Sequence, residues 1–321
     1  MKNKPIILVA GEPNGIFFEI FFKSIKKNIY KSPLVLICCK KLLLQQMKKY
    51  KFKKVLKILT IKELKNINLN NKSINLIDTR LKKISSKKNQ NKLTKIYIND
   101  SFNVAFQLIR SGFTKKFING PINKRTFLNK KFLGVTEYIS KNFKEKKIGM
   151  LIYNKKLSVC PLTTHLPINL VAKKITKKLI EEKIETINLF FKKNLKIKPR
   201  IGVTGMNPHC ETILKFNEDE KIVYPAIKTQ IKRGVNVNGP YSADTIFLKE
   251  NRDKFDVILG MYHDQVLTPF KTLFEYDAIN ITMGLPFLRV SPDHGPNQKM
   301  AGKNKSNPQS LINALKFLDN K

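Results

Sequence analysis

The residues best suited to chemistry lie between Leu259 and Gly295. An apolar run, Val257 to Gly260, ends just before His263 and Asp264, and Lys271, Asn280 and Arg289 follow at intervals of nine residues. Open α/β sheets bind their ligands beyond the carboxyl ends of the strands. We therefore interpret this stretch as part of an active site. The alternative, a solvated surface charge, applies more to Lys271 than to Arg289, which follows a compact apolar run.

Two further histidines, His165 and His209, also come shortly after apolar runs, in loops that contain proline. Separations of 44 and 54 residues between the three histidines are far too long for a finger-type zinc site. They suit ligands that arrive from separate strand ends. Three imidazoles with an open position are typical of a catalytic metal site, where zinc, cobalt or another borderline divalent ion can bind. The alternative for any one histidine is a satisfied core or surface residue.

Nearby polar residues can support such a site. Asp264 and Asp244 are candidates to orient a ligand imidazole. Lys271 and Arg289 can hold an anionic group, and Asn280 can bind a hydroxyl or a phosphate oxygen. These residue types together suggest that an anionic, oxygen-rich small molecule reacts beside a metal ion.

Alternating strand-like and helix-like segments position these residues. The alternation over the first 120 residues predicts a largely parallel sheet with helices on both faces. Over the whole chain, the pattern also predicts a hairpin, an exposed loop, a further strand and three further helices. The hairpin is Ile148 to Tyr153 with Leu157 to Leu162, the loop is 82–95, the strand is Ile201 to Thr204, and the helices are Ala172 to Lys193, Asp219 to Lys232 and Gln309 to Leu318.

The chain has 321 residues, which is enough for two domains, and a formal net charge of +39. Such a charge raises the possibility of a cationic nucleic-acid-binding protein. Only seven of the 62 basic residues are arginine, however, and the lysines are spread along every predicted helix. That distribution favours a compositional bias, and no specific nucleic acid is expected as a partner. A general attraction for anionic substrates would still follow.

The protein is expected to lie in the cytoplasm and to have no membrane partner. No apolar run approaches the roughly 18 residues that a membrane helix needs. The N-terminus leads directly into a strand-like run without a cleavage-site pattern. The four cysteines show no CxxC spacing, so they are expected to be reduced thiols.

Nine short motifs, in the same order over nearly the whole chain, resemble those of the 4-hydroxythreonine-4-phosphate dehydrogenase family of pyridoxal phosphate biosynthesis. Each is weak alone, and their common order makes the resemblance specific. They are GEPNGI at 11–16, NGPINK at 119–124, GVTEYI at 134–139, TTHLP at 163–167, GMNPHCE at 205–211, NGPYSADT at 238–245, MYHDQ at 261–265, NITMGLPFLR at 280–289 and DHG at 293–295.

This resemblance implies a two-domain α/β/α fold like that of isocitrate and isopropylmalate dehydrogenases, without a Rossmann domain. We place the first domain at about residues 1–125 plus 266–321 and the second, with the dimer interface, at about 126–265. The resemblance further implies a homodimer with shared active sites, and oxidation of a phosphorylated hydroxy amino acid by NAD or NADP. The metal would be zinc, with magnesium or cobalt as alternatives. By motif, the implied metal ligands are His165, His209 and His263. The implied substrate-binding residues are Thr136, Lys271, Asn280 and Arg289. Asp264 and Asp244 are the candidate proton acceptors.

One departure from the family pattern concerns Val135. The family usually has GHTE where this chain has Gly134-Val135-Thr136-Glu137, so an imidazole at a substrate-binding position is missing. Valine can neither donate a hydrogen bond nor titrate. The departure keeps open a related activity, a dehydrogenase of a four-carbon sugar-acid 4-phosphate such as threonate or erythronate 4-phosphate.

Overall fold

The computed structural model describes residues 3–82, 87–123, 127–128, 132, 134–213 and 215–321. Strands and helices alternate along much of the chain, as the spacing of apolar residues predicts. In chain order they are β1 (Ile6–Val9), α1 (Phe17–Lys27), β2 (Leu34–Cys38), α2 (Lys40–Lys49), β3 (Leu56–Ile58), β4 (Ile74–Asp78), α3 (Lys87–Arg110), β5 (Lys116–Asn119), α4 (Val135–Phe143), β6 (Gly149–Tyr153), β7 (Ser158–Pro161), α5 (Ile168–Lys174), α6 (Lys177–Phe190), β8 (Ile201–Thr204), α7 (Tyr224–Lys232), β9 (Val237–Tyr241), α8 (Lys249–Arg252), β10 (Val257–Gly260), α9 (His263–Phe274), β11 (Ile279–Met283), β12 (Leu288–Pro292) and α10 (Gln309–Asp319). None of these helices is both long and apolar enough to cross a lipid bilayer.

The chain divides into two compact units. The first unit is Met1–Val135 with Pro286–Lys321, and the second is Thr136–Leu285. The domain boundary that we expected between residues 125 and 126 lies outside the described residues.

The first unit contains strands in the order β3-β4-β2-β1-β5-β12. The pairs β1–β2, β1–β5, β2–β4, β3–β4 and β5–β12 are all parallel, which confirms the prediction of a parallel sheet. A parallel strand is covered on both faces, and therefore β1 reads as the uninterrupted apolar run Ile-Ile-Leu-Val, fully buried. Helix α3 packs against β1 and β2, and α10 packs against β12 and β1.

The second unit contains strands in the order β11-β6-β7-β10-β8-β9. The predicted hairpin is confirmed, because β6 and β7 pair antiparallel with Ile152 opposite Val159. Strand β10 pairs in parallel with β7 on one side and with β8 on the other. Val257, Ile258 and Leu259 of β10 are fully buried. The carboxyl ends of β7, β10 and β8 therefore lie side by side at one edge.

Two expectations about local structure were wrong. Within the expected loop 82–95, residues from Lys87 onwards form the start of α3, and 83–86 lie outside the described residues. The expected helix from Ala172 to Lys193 is two helices, because Ile175 is extended and ends α5. Thr176 then caps α6, its hydroxyl oxygen accepting a hydrogen bond from the Leu179 amide at 3.2 Å.

Candidate active site

The three histidines of the predicted metal site follow adjacent parallel strands. His165 comes after β7, His209 after β8, and His263 is the first residue of α9, directly after β10. Because β10 pairs with both β7 and β8, the three loops leave the same edge of the sheet. This placement matches the position at which open α/β sheets bind ligands.

His165 and His263 lie close together within one chain. Their ring centroids are 6.0 Å apart, with an interplanar angle of 36°. Thr163 connects the loop that carries His165 with the loop that carries His263. Its amide and its hydroxyl both donate to the Met261 carbonyl, at 3.2 and 2.8 Å. Thr163 is buried, so solvent does not compete strongly for these bonds.

Asp264 contacts His263 in the way predicted for an orienting carboxylate. Its Oδ1 lies 2.7 Å from His263 Nδ1. A carboxylate on Nδ1 fixes the imidazole ring and leaves Nε2 as the nitrogen for a metal ion. The Asp264 side chain is itself largely exposed, so it is also accessible to solvent and ligand.

His209 has an unusual backbone conformation. Its φ is +55°, and that of the following Cys210 is +63°, both in the left-handed region that residues other than glycine seldom adopt. Both residues belong to a short 3₁₀ turn, Pro208–Cys210. Strained backbone of this kind persists only where surrounding contacts hold it, and it is common at functional sites.

Buried Asp219 holds the backbone just before this turn. Its carboxylate accepts hydrogen bonds from the amides of Met206 at 2.5 Å and Asn207 at 2.9 Å, and from Asn207 Nδ2 at 3.1 Å. A Cβ on Gly205 would lie 2.5 Å from Cys210 Sγ and 3.0 Å from Asp219 Oδ1, so a side chain there would require both groups to shift. The left-handed turn at His209 is therefore built into the loop.

Asp244 is connected to His209 through Ser242. The Ser242 hydroxyl donates to Asp244 Oδ1 at 2.6 Å and lies 3.5 Å from His209 Nδ1. The Ser242 hydrogen bond is the main cause that lowers the pKa of Asp244 below its usual value, and nearby His209 acts in the same direction. Asp244 therefore stays ionised and can orient His209 through the serine hydroxyl.

The histidines supply a suitable donor set for a metal, although one chain does not gather all three. In the part of the chain that the structure describes, no group of three or more His, Cys, Asp or Glu side chains could hold an ion. The rings of His165 and His263 lie next to each other, whereas His209 Nδ1 lies 3.5 Å from the Ser242 hydroxyl. Imidazole nitrogens with carboxylate support fit zinc or another borderline divalent ion.

Asn280 is a buried acceptor within the second unit. It lies on β11, opposite Ile152 of β6, and its Oδ1 is buried without a hydrogen-bond partner among the described residues. Such an atom costs about 1–3 kcal/mol unless a ligand supplies a donor. Lys271 lies on α9 and Thr136 on α4, and both are partly exposed.

Arg289 is buried in the first unit, contrary to the alternative of a solvated surface charge. It lies on β12 with 3% of its surface exposed, and its Nε donates to Asn119 Oδ1 at 2.8 Å. Burying a guanidinium is costly unless its donors are satisfied, so a fixed orientation is expected. Val135, the first residue of α4, is also buried.

The loop after β1 approaches the loop after β5 closely. The amide of Glu12 donates to the Pro121 carbonyl at 3.0 Å, and the Glu12 carboxylate accepts from the Asn123 amide at 3.4 Å. Burial raises the pKa of the Glu12 carboxyl above its usual value, and the Asn123 hydrogen bond opposes this only in part. A Cβ on Gly11 would lie 2.6 Å from the Pro121 oxygen, so this approach requires glycine.

Three residues that sequence reasoning did not select belong to these arrangements. They are Glu12, Asp219 and Gln265, each with a buried or partly buried side chain that binds backbone groups of a motif loop. In the sequence, Asp219 is only the first residue of the predicted helix from Asp219 to Lys232. The available signal was its place after a loop rich in Gly, Asn and Pro, whose amides need acceptors.

The fold, together with the comparisons that follow, defines the class of the chain as an α/β dehydrogenase. In its fold the chain resembles isocitrate dehydrogenase from Methylococcus capsulatus, with a TM-score of 0.51 at 10% identity over 97% of this chain and 83% of that one. It resembles more strongly the crystal structure of 4-hydroxythreonine-4-phosphate dehydrogenase from Klebsiella pneumoniae, with a TM-score of 0.81 at 27% identity over 98% of each chain.

Sequence comparison identifies the family. Residues 30–318 match the model of the pyridoxal phosphate biosynthetic protein PdxA, and the chain belongs to that family. It is 36% identical to 4-hydroxythreonine-4-phosphate dehydrogenase from Sulfurihydrogenibium sp., over 97% of this chain and 96% of the relative. It is also 33% identical to D-threonate 4-phosphate dehydrogenase from Pectobacterium atrosepticum, over 66% of each. The chain is therefore an oxidoreductase of pyridoxal phosphate biosynthesis, and a nicotinamide is the cofactor general to such dehydrogenases.

Proposed function

We propose that the chain oxidises the C3 hydroxyl of 4-phosphooxy-L-threonine and passes the hydride to NAD or NADP. The product is a 2-amino-3-oxo acid phosphate, a β-keto acid that loses carbon dioxide to give 3-amino-2-oxopropyl phosphate. The observation that carries this proposal is the pair His165 and His263, 6.0 Å apart beyond adjacent strand ends, in a chain of the PdxA family.

We propose that His165, His209 and His263 hold a divalent metal ion, with zinc as first choice and cobalt or magnesium as alternatives. When bound, such an ion supplies Lewis-acid polarisation of the substrate's C3 oxygen in both steps. Imidazole ligands favour zinc and cobalt, because magnesium prefers oxygen. Asp264 would keep His263 oriented, and Ser242 with Asp244 would do the same for His209.

The substrate-binding residues are proposed from their chemistry. Lys271 and Arg289 would bind the anionic ends of the substrate. The unpartnered Oδ1 of Asn280 suits an O–H or N–H donor of the substrate better than a phosphate oxygen. Thr136 would add a hydroxyl contact. Asp264 and Asp244 are the candidates to accept the proton of the C3 hydroxyl, because both are exposed carboxylates beside a metal-ligand histidine.

A homodimer with shared sites is supported by the surface of the second unit. The loops and short helices around the histidines expose several large apolar side chains, which is unusual for a surface that faces only water. These residues are Ile168, Leu170, Ile213, Phe216, Tyr241 and Leu248. A second subunit packed there would cover them and bring its histidines to the same edge.

The decisive experiment measures turnover of 4-phosphooxy-L-threonine with NAD and with NADP, before and after chelation. His165→Ala, His209→Ala and His263→Ala should each abolish turnover and weaken zinc binding, since each removes one ligand. His294→Ala is the matched control and should retain zinc binding. Full activity of any of the three variants after chelation would refute the metal role.

A second candidate, oxidation of a four-carbon sugar-acid 4-phosphate, is favoured by one observation. Val135 stands where the family usually has histidine, and a D-threonate 4-phosphate dehydrogenase is among the relatives. Steady-state rates on both substrates discriminate between the two. A kcat/KM that is higher for D-threonate 4-phosphate would replace the first proposal by the second.

A further inference from the structure

Gln265 joins the two loops that carry His209 and His263. It is the third residue of α9, which begins at His263. Its Oε1 accepts hydrogen bonds from the Met261 amide and from the Thr204 hydroxyl, both at 2.7 Å. Its Nε2 donates to the Gly205 carbonyl at 2.8 Å. One side chain thus connects the end of β10 with the end of β8.

Only an amide side chain can make this set of contacts. The Gly205 carbonyl needs a donor, whereas the Met261 amide needs an acceptor, and glutamine supplies both from one planar group. The same pattern fixes which end of the amide is oxygen. Thr204 is fully buried, and the Gly205 amide donates to the Tyr241 carbonyl at 2.8 Å, so both partners are held by the end of β8.

The bonded groups lie next to the histidines in the chain. Met261 precedes His263 by two residues and is held on its other side by Thr163, whose hydroxyl donates to the Met261 carbonyl. Gly205 begins the loop that ends in the left-handed His209. Without the glutamine, only the strands would hold the histidine loops in place. A displacement of about 1 Å at a ligand is enough to weaken metal binding.

We propose that Gln265 is a positioning residue that fixes the His209 loop and the His263 loop of one chain at the edge of the sheet, and thereby sets the divalent-metal affinity of the sites to which these two histidines belong. This inference rests on the proposed metal role of the histidines. It adds a residue that contacts neither metal nor substrate. Side chains that support metal ligands in this way typically change metal affinity 10–100-fold when they are removed.

The test is a titration of the metal-free, full-length protein with Co²⁺, followed by the ligand-field absorption of the bound ion. Gln265→Leu is expected to weaken Co²⁺ binding about 10–100-fold. Thr204→Val removes one of the three bonds and is expected to weaken it about fivefold. In the Gln265→Leu background, Thr204→Val should add nothing, because the two residues act through one contact.

Gln230→Leu is the matched control, because Gln230 is a buried glutamine of the same unit on α7, away from these contacts. It should leave Co²⁺ affinity unchanged even if it alters the melting temperature. Gln265→Glu keeps both acceptor bonds but places a carboxylate oxygen against the Gly205 carbonyl at neutral pH, so its Co²⁺ affinity should also fall below that of wild type. Co²⁺ affinity of Gln265→Leu within twofold of wild type would overturn the inference.

A separate readout distinguishes failure of this inference from failure of the proposed function. If wild-type Co²⁺ binding does not depend on His165, the metal role itself is wrong. The positioning role is then judged by hydrogen exchange of the metal-free protein. Amides of residues 206–211 should exchange faster in Gln265→Leu than in Gln230→Leu, and equal exchange in the two variants would refute the positioning role as well.

Discussion

Arg289 and Asn280 show how differently the buried polar atoms of two side chains can be satisfied. Arg289 donates to Asn119 within its own unit, whereas Asn280 Oδ1 has no partner among the described residues. A chain tolerates such an unsatisfied acceptor where a ligand completes it. The sequence motif selected both residues, but only the structure shows that Arg289 Nε is bonded within its unit and that Asn280 Oδ1 is not.

Val135 is the residue at which this chain departs from its family. If the usual imidazole helps to hold the substrate equally in the ground and transition states, its loss affects KM and not kcat. Val135→His is then expected to lower KM for 4-phosphooxy-L-threonine threefold to tenfold, since one neutral hydrogen bond contributes about 1 kcal/mol. Steady-state kinetics on wild type and variant check this.

Val135 is buried, so Val135→Leu serves as the control for a larger side chain without hydrogen-bonding groups. It should not improve KM. Negligible wild-type activity that Val135→His does not rescue would mean that the position marks a different substrate.

Glu12 is a buried carboxyl whose ionisation opposes folding. Burial raises its pKa above the unfolded value, so the folded protein binds this proton more tightly than the unfolded chain does. The stability that the protonated Glu12 carboxyl contributes is fully present below the pKa of the unfolded chain. It is lost as the pH rises through the pKa of the folded protein. Glu12→Gln, which keeps an acceptor for the Asn123 amide, should therefore raise the free energy of unfolding at neutral pH.

Urea unfolding of wild type and Glu12→Gln as a function of pH tests this. The increase in the free energy of unfolding of Glu12→Gln over wild type should shrink as the pH falls towards the usual carboxyl pKa, and it should vanish below that pH. A constant difference at all pH values would show that the charge of Glu12 is not responsible.

At the scale of elements, the loop between β8 and α7 depends on one buried carboxylate. Asp219 accepts from the amides of Met206 and Asn207, and Asp219→Ala would leave these donors without partners. An unsatisfied buried donor costs about 1–3 kcal/mol, so the free energy of unfolding should fall by about 2–4 kcal/mol. Glu220→Ala, at the exposed neighbouring position, should change it by less than about 0.5 kcal/mol. Urea denaturation of both variants gives the comparison, and equal values would exclude a special role for Asp219.

The strands of the site were predictable because parallel strands are apolar along their whole length. Val257 to Gly260 and Ile201 to Thr204 stand out for this reason, and the following histidines are thereby placed at strand ends. The conformation of the His209 turn was not predictable. The loop that carries this left-handed histidine is held at Met206 by Asp219, ten residues after His209, and at Gly205 by Gln265, on another element.

The predicted helix limits were wrong where the local polar composition and the tertiary packing favour different structures. The start of α3 is rich in lysine and asparagine, which suggests a loop, yet the helix buries Thr94, Tyr97 and Ile98 further along. The break after α5 follows from the capping by Thr176, a signal present in the sequence but masked by continuous apolar spacing.

At the scale of the whole molecule, the net charge of +39 and the anionic substrate class fit together. A positive surface attracts phosphorylated substrates over several ångströms and raises the association rate at low salt. The charge does not specify the fold, since the central strands β1, β2 and β10 contain no charged residue. We therefore expect the charge to affect the encounter with the substrate and not the geometry of the site.

Assembly determines whether one chain or two supply the metal ligands. His165 and His263 are paired within a chain, so we expect them to bind the same ion and His209 to come from the second subunit. Mixing His209→Ala protein with His165→Ala protein would then regenerate one intact site in each mixed dimer. With free subunit exchange, activity should recover to about a quarter of wild type, because half of the dimers are mixed and each has one intact site.

The same recovery is expected for His209→Ala with His263→Ala, whereas His165→Ala with His263→Ala should stay inactive. Turnover of each mixture after unfolding and co-refolding gives the measurement, and mass spectrometry of the mixed dimers verifies exchange. If all three mixtures remain inactive although mixed dimers form, all three ligands come from one chain. Recovery in the third mixture would instead place His165 and His263 of each site on different subunits.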